Sequence, residues 1–177
     1  YSSGINYFEK ALEIKLQLGD VKSAALTRYN IGELYYMKDS YDSALTYYVS
    51  AYETFRAINA VKWIKTSRMG LFKCHLVLNN LEQAQSFALE IFAGNRAAIE
   101  LNFPILTEKE KELYLQLFEE DYNILYRDAF ILEEFNPAFT GHVYDNVLYT
   151  KGILLKSSTA MRNAIQLSND AEVINSY

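Results

Sequence analysis

Tyr41-Asp42-Ser43-Ala44-Leu45-Thr46-Tyr47-Tyr48, with Ala51 and Glu53 beyond it, restates an earlier stretch of the chain forty residues upstream. That stretch is Tyr1-Ser2-Ser3-Gly4-Ile5-Asn6-Tyr7-Phe8, with Ala11 and Glu13 beyond it. Tyr1 falls on Tyr41, Ser3 on Ser43 and Tyr7 on Tyr47. A second step of the same length sets Val21-Lys22 on Val61-Lys62, Arg28 on Arg68 and Ala44 on Ala84. A fixed period in this range marks a stack of supersecondary units, each of which buries its apolar face only against its neighbours.

Each unit reads as two amphipathic helices. Over 21–38 the apolar positions Leu26, Tyr29, Leu34 and Tyr35 fall at helical spacing, and a turn at Asp39-Ser40 leads into a second helix over 41–58. Gly19-Asp20 closes the preceding helix, with the glycine supplying a left-handed cap. Ala44 and Ala51 flank Tyr48 at spacings of four and three, so small side chains let the backbones approach while the ring fills the gap beyond.

Asn30-Ile31-Gly32, Tyr35, Tyr41, Ala44, Tyr48 and Ala51 together resemble the tetratricopeptide repeat signature, with small and large residues alternating in the same order across a helical hairpin. The period is forty here rather than the family's usual thirty-four. The resemblance implies an all-α fold, an α-α superhelix of antiparallel hairpins. Its expected divisions are a half repeat at 1–20, a full repeat at 21–60 and a degenerate repeat at 61–93. In that last unit Phe72 stands for the expected Gly, His75 for Tyr and Ala88 for the aromatic.

Gly94-Asn95 and Asn102-Phe103-Pro104 interrupt the pattern, which predicts a junction at 94–106. Thr107-Glu108-Lys109-Glu110 reads as a capping box. It opens a helix expected to run unbroken to Phe135, with Tyr114, Phe118, Tyr122, Leu125, Ala129 and Leu132 as its apolar stripe. Asn136-Pro137 ends it. A further helix to Gln166 follows, with Tyr144, Val147, Leu154, Met161 and Ile165 on one side, and Ser168-Asn169-Asp170 begins a short last helix. The expectation for 107–177 is thus a long antiparallel helical hairpin. Leu106-Thr107-Glu108-Lys109-Glu110-Lys111-Glu112, the run 144–155 (Tyr-Asp-Asn-Val-Leu-Tyr-Thr-Lys-Gly-Ile-Leu-Leu), Ser157-Ser158 and 161–165 resemble the helical segment that precedes a CHAT domain, a caspase-like peptidase module found downstream of tetratricopeptide arrays, mainly in bacteria. The resemblance implies that such a domain follows in the parent protein as the partner of this region, and that its catalytic residues lie outside this chain.

Composition sets further bounds. Two prolines and seven glycines favour long helices, and 15 tyrosines suit helix pairs whose rings are buried while their hydroxyls stay at the wet edge. A net charge of −5 argues against nucleic acid, whose phosphates call for a basic stripe. Lys62, Lys65 and Arg68 read as a solvated helix face, as do Glu119, Glu120 and Asp121. No apolar run is long enough to span a membrane. The single cysteine, Cys74, fits a reducing compartment, which with the absence of a signal-peptide pattern gives an expected cytoplasmic location. Beginning at Tyr1 without Met, the chain reads as an excised piece.

The remaining constellations point away from catalysis. Cys74 and His75 are adjacent on one helix, so their side chains diverge by about 100° and cannot face each other as a dyad. His142 has no second ligand at metal spacing, and glycine is too sparse for a phosphate loop. No enzyme activity, cofactor or metal is expected. In the tetratricopeptide family the first helix of each hairpin lines a groove. By that resemblance Tyr29, Glu33, Tyr36 and Met37, with Met69, Lys73 and Leu76, face a protein or peptide ligand. The alternative for Tyr29 and Met69 is packing between units. A clamp for a terminal carboxylate, used by chaperone-binding members, is not expected. Asn30 matches one of its positions, but Tyr29, Glu33, Thr66 and Gly70 occupy others. The function expected is a non-catalytic, partner-binding scaffold within a larger bacterial CHAT-type protein. The alternatives are a self-associating module, through a homodimer, and the sensor part of a kinase regulator.

Overall fold

The computed structural model describes residues 1–167. All regular structure among them is helical, with no strand, so the chain is all-α. It divides into two compact units, Tyr1–Gly94 and the residues from Asn95 onward.

The first unit begins with α1 (Ser2–Gln17), α2 (Val21–Tyr36), α3 (Tyr41–Ala57) and α4 (Val61–Val77). α5 (Leu81–Asn102) supplies its last helix and continues beyond Gly94. Each of the first four helices closes on one left-handed residue: Gly19 (φ 68°), Asp39 (58°), Asn59 (52°) and Asn79 (58°). These are spaced by twenty residues. After each, the next amide reaches back five residues: Asp20 to the Lys15 carbonyl, Ser40 to Tyr35, Ala60 to Phe55 and Asn80 to His75, at 2.8–3.0 Å. This is the Schellman closure, which returns the chain on itself within three residues. Only Gly, Asn and Asp occupy left-handed backbone readily, and only those types stand here. The forty-residue period is therefore two equal steps of one helix and one turn. From α1 to α4 each helix packs on the next, and α2 also meets α4.

Tyr48 lies at the centre of this unit, 1% exposed. A β-carbon on Gly32 (α2) would stand 2.8 Å from its ring, and one on Gly70 (α4) would stand 3.1 Å away. The glycines of two neighbouring helices thus make room for one aromatic ring from α3. Ala44, Leu71, Cys74 and Tyr52 complete the cluster. Ala25, Ala51 and Phe55 form an adjoining one, with Trp63 stacked on Phe55 at 5.8 Å. Gly70, considered in sequence as a groove position, is buried against Tyr48. In the unit read as degenerate, Phe72 and Ala88 are both fully buried. Their sizes are the reverse of those of Gly32 and Tyr48, forty residues earlier.

Two expectations fail in the second unit. α5 runs straight through Gly94-Asn95, and the interruption comes as a 3-10 turn, Phe103–Ile105, with Pro104 in its first turn. Asn95, expected as a breaker, is buried, and its Nδ2 donates to Asp121 Oδ2 at 3.0 Å. Nor is 107–135 one helix. α6 (Glu108–Gln116) ends before Phe118, which is buried and serves as N-cap of α7 (Glu119–Phe135). Glu119, Glu120 and Asp121 fill the first turn of α7, where carboxylates complement the positive end of the helix dipole. The acidic run marks a helix start rather than only a solvated face. Among the described residues the region is therefore three helices, closed by α8 (Phe139–Leu167), and not a two-helix hairpin.

The capping box is present. Thr107 Oγ1 accepts from the Glu110 amide, and Glu110 Oε2 accepts from the Thr107 amide at 2.8 Å. Ile99, Leu125, Leu132 and Phe139 are its fully buried apolar residues, with Tyr122 stacked on Tyr126 at 5.7 Å. Met161 and Ile165 have side chains outside those described, and the expected last helix from Ser168 lies outside the described residues.

Candidate functional site

The seven groove candidates fall on α2 and α4, but the structure gives them different surroundings. Met37 is the C-cap of α2 and is 55% exposed. Glu33, Tyr36, Lys73 and Leu76 are half-buried. Met69 is buried, leaving little of it for a ligand. Tyr29 packs against both core clusters, with its ring 5.3 Å from that of Tyr48, and Tyr36 packs on the Tyr48 cluster and meets Tyr41 edge-on at 5.3 Å. The surface actually offered is thus Met37 at one end, with the outer edges of Tyr36, Lys73 and Leu76.

Beneath it lies a polar knot that the sequence did not disclose. Tyr48 Oη donates to Glu33 Oε1, 15 residues away on α2. Burial, then Glu33, raises the pKa of Tyr48; burial and the Glu33 charge do the same for Tyr29. Cys74 is fully buried beside them, and burial with the Glu33 charge pushes its thiol up to about 12. A thiol so suppressed is a poor nucleophile at neutral pH. His75 stacks on Phe87 at 5.6 Å and 13°, and burial lowers its pKa. The knot ties the floor of the candidate surface together, since one carboxylate joins residues of α2 and α3. Its only trace in sequence is a glutamate one position after the glycine that accommodates Tyr48.

A second cluster gathers on α3, α4 and α5. Glu90 Oε2 accepts from Tyr52 Oη at 3.2 Å and from Arg68 Nε at 2.9 Å. The Arg68 and Arg56 guanidiniums lie 5.9 and 5.6 Å from the centre of the Tyr52 ring. Arg68, expected on a solvated helix face, is half-buried. The distant partners, 16 and 38 residues from Tyr52, carry no local signal.

Among the described residues, no group of three or more His, Cys, Asp or Glu is placed to hold a metal ion, and no helix is long and apolar enough to cross a membrane. His142 is exposed on α8, where its carbonyl accepts from Asn146 Nδ2 at 2.9 Å. Compared with family models, with curated proteins and with solved structures, the chain has no match in any of the three.

Proposed function

We propose that this chain is a non-catalytic, partner-binding helical-repeat array of the tetratricopeptide type. Its ligand is a protein or peptide segment laid across α2 and α4. The reading is carried by one observation: helices of 16 or 17 residues, closed by left-handed caps every twenty residues, pack through a glycine–tyrosine–glycine contact at Gly32, Tyr48 and Gly70. That resembles the small–large alternation of the family's hairpins, and it acts through shape and contact. Tyr36, Met37, Lys73 and Leu76 supply an amphipathic surface suited to an extended or helical peptide. Met69 and Tyr29 support it from below.

The second unit, by the resemblance of 144–155 to the segment before a CHAT domain, relays the bound state to a downstream peptidase module in a cytoplasmic bacterial protein. The relay is part of the proposal and requires an element with two arrangements. A self-associating module is the second reading, favoured by the apolar side chains α1 exposes: Tyr7 is 73% exposed and Ile14 56%, with Leu18, its C-cap, at 76%.

Selection of a random dodecapeptide library against the chain tests the first reading. Selected peptides should perturb amide resonances over 29–37 and 69–76, and the double substitution Met37→Asp, Lys73→Glu should weaken them at least tenfold while leaving the far-UV spectrum unchanged. Peptides that perturb only other surfaces, or a selection that enriches none, would overturn it.

A further inference from the structure

The geometry points to a second binding site in the first unit, the cleft framed by Tyr52, Arg56, Arg68, Glu90 and Gly94, which takes a carboxylate side chain of an acidic peptide segment. The cleft encloses about 390 Å³. It is open on the side of Arg56, Ala93 and Gly94, all exposed. An opening of that kind suits a side chain projecting from a larger partner better than a free small molecule, which binds by near-complete enclosure.

Charge selects the ligand. Two guanidiniums face one carboxylate, leaving an excess of one positive charge in a chain whose net charge is −5. Arg68 uses Nε for Glu90, at 2.9 Å, while its Nη1 lies toward Gly94, where even a β-carbon would stand 3.5 Å off. A glycine in mid-helix is otherwise unfavourable relative to alanine; here it keeps the approach to the guanidinium edge clear. Arg56 makes no ion pair among the described residues and rests over the Tyr52 ring. The ring holds both planar forks by cation–π contact, which orders them before a ligand arrives. Free guanidinium edges match a carboxylate bidentately. A phosphate dianion exceeds the available charge and meets Glu90 at close range, so the monoanion fits better.

The site rests on the reading of the chain as a partner-binding array, but it uses α3, α4 and α5 rather than the α2–α4 surface. The two can therefore fail separately: Met37→Asp should leave the cleft's binding unchanged.

The test uses the whole chain and two synthetic decapeptides, one alternating Ala and Glu and one alternating Ala and Gln, titrated at low salt. The Glu peptide should shift the side-chain Nε resonances of Arg56 and Arg68, and the Gln peptide should not. Arg56→Gln should weaken the Glu peptide at least fivefold. Glu90→Gln, which keeps an oxygen for Arg68 and Tyr52 but removes the competing charge, should tighten it at least threefold, a gain that misfolding cannot mimic. Equal binding of the two peptides, an Arg56→Gln variant with unchanged affinity, or weaker binding by Glu90→Gln would overturn the assignment. So would inorganic phosphate displacing the Glu peptide more effectively than acetate does at equal ionic strength.

Discussion

Gly32 lies flat against the ring of Tyr48, so close that a methyl group in place of its hydrogen would meet Cδ1 at 2.8 Å. The ring has little room to retreat, because a β-carbon at Gly70 would stand only 3.1 Å from it and its hydroxyl is held by Glu33. Gly32→Ala should therefore destabilise the first unit by about 1–2 kcal/mol, overpacking outweighing the gain in helix propensity. Gly70→Ala, where the contact is looser, should fall within about 0.5 kcal/mol of the parent. Urea unfolding measures both. In the Gly32→Ala background Tyr48→Leu should cost about 1 kcal/mol less than in the parent, since the shorter side chain relieves the clash. Additive effects would show that the contact is not the source of the loss.

Asn59 and Asn79 are exposed and adopt left-handed backbone, with no side-chain hydrogen bond among the described residues to justify their identity. Replacing either with Gly should raise stability by about 0.5 kcal/mol, and replacing either with Ala should lower it by about 1 kcal/mol. Asp39 is the control. Its Oδ1 accepts from Tyr41 Oη at 2.6 Å, so Asp39→Gly forfeits a bond as it relieves the backbone and should gain nothing. Thermal midpoints of the variants distinguish these outcomes. A gain at Asp39 equal to that at Asn59 would refute the role given to Tyr41.

Tyr29, Tyr48 and Tyr122 have pKa values raised above the ordinary 10.0, burial being the first cause in each. The native state thus favours their neutral forms. The associated stability is whole below pH 10, where both folded and unfolded chains are protonated. It is lost as pH climbs beyond 10, because only the unfolded chain then releases the protons. Phenolate absorbance at 295 nm should lag at pH 11 in the native chain relative to the chain in urea, and Tyr48→Phe should shrink that gap. At pH 7 the same substitution should cost about 1.5 kcal/mol, from the lost bond to a carboxylate. Superimposable titrations in buffer and urea would contradict the burial.

The helices of the first unit were legible because the chain announces them twice, once in the forty-residue echo of Tyr41 and Ala44 and once in the glycine at position 19. The halving of that period was less visible. Gly19, Asp39, Asn59 and Asn79 are three residue types serving one backbone conformation, and only glycine reads as a cap unaided. The uninterrupted passage of α5 through Gly94-Asn95 was hidden for the opposite reason. Both residues are turn formers by propensity, and the partner that binds the Asn95 side chain, Asp121, is remote in sequence. Phe118 misled similarly, since an aromatic at helical spacing reads as one more residue of a stripe and not as the cap between α6 and α7. At the candidate surface, spacing could place Tyr29 and Met69 on the first helix of each hairpin. Their depth depends on Tyr48 and on packing between helices, which no local pattern encodes.

The recurrence of a left-handed residue after each of the first four helices, and not only after every second one, means that the backbone itself does not know which member of a hairpin it is building. That distinction is written only in side-chain size, in whether a position carries the glycine or the ring it receives. Losing or duplicating one twenty-residue rung would leave all the other turns in step, yet would set ring against ring and void against void. Lengths measured in twenties are permitted by the turns, and lengths measured in forties by the core.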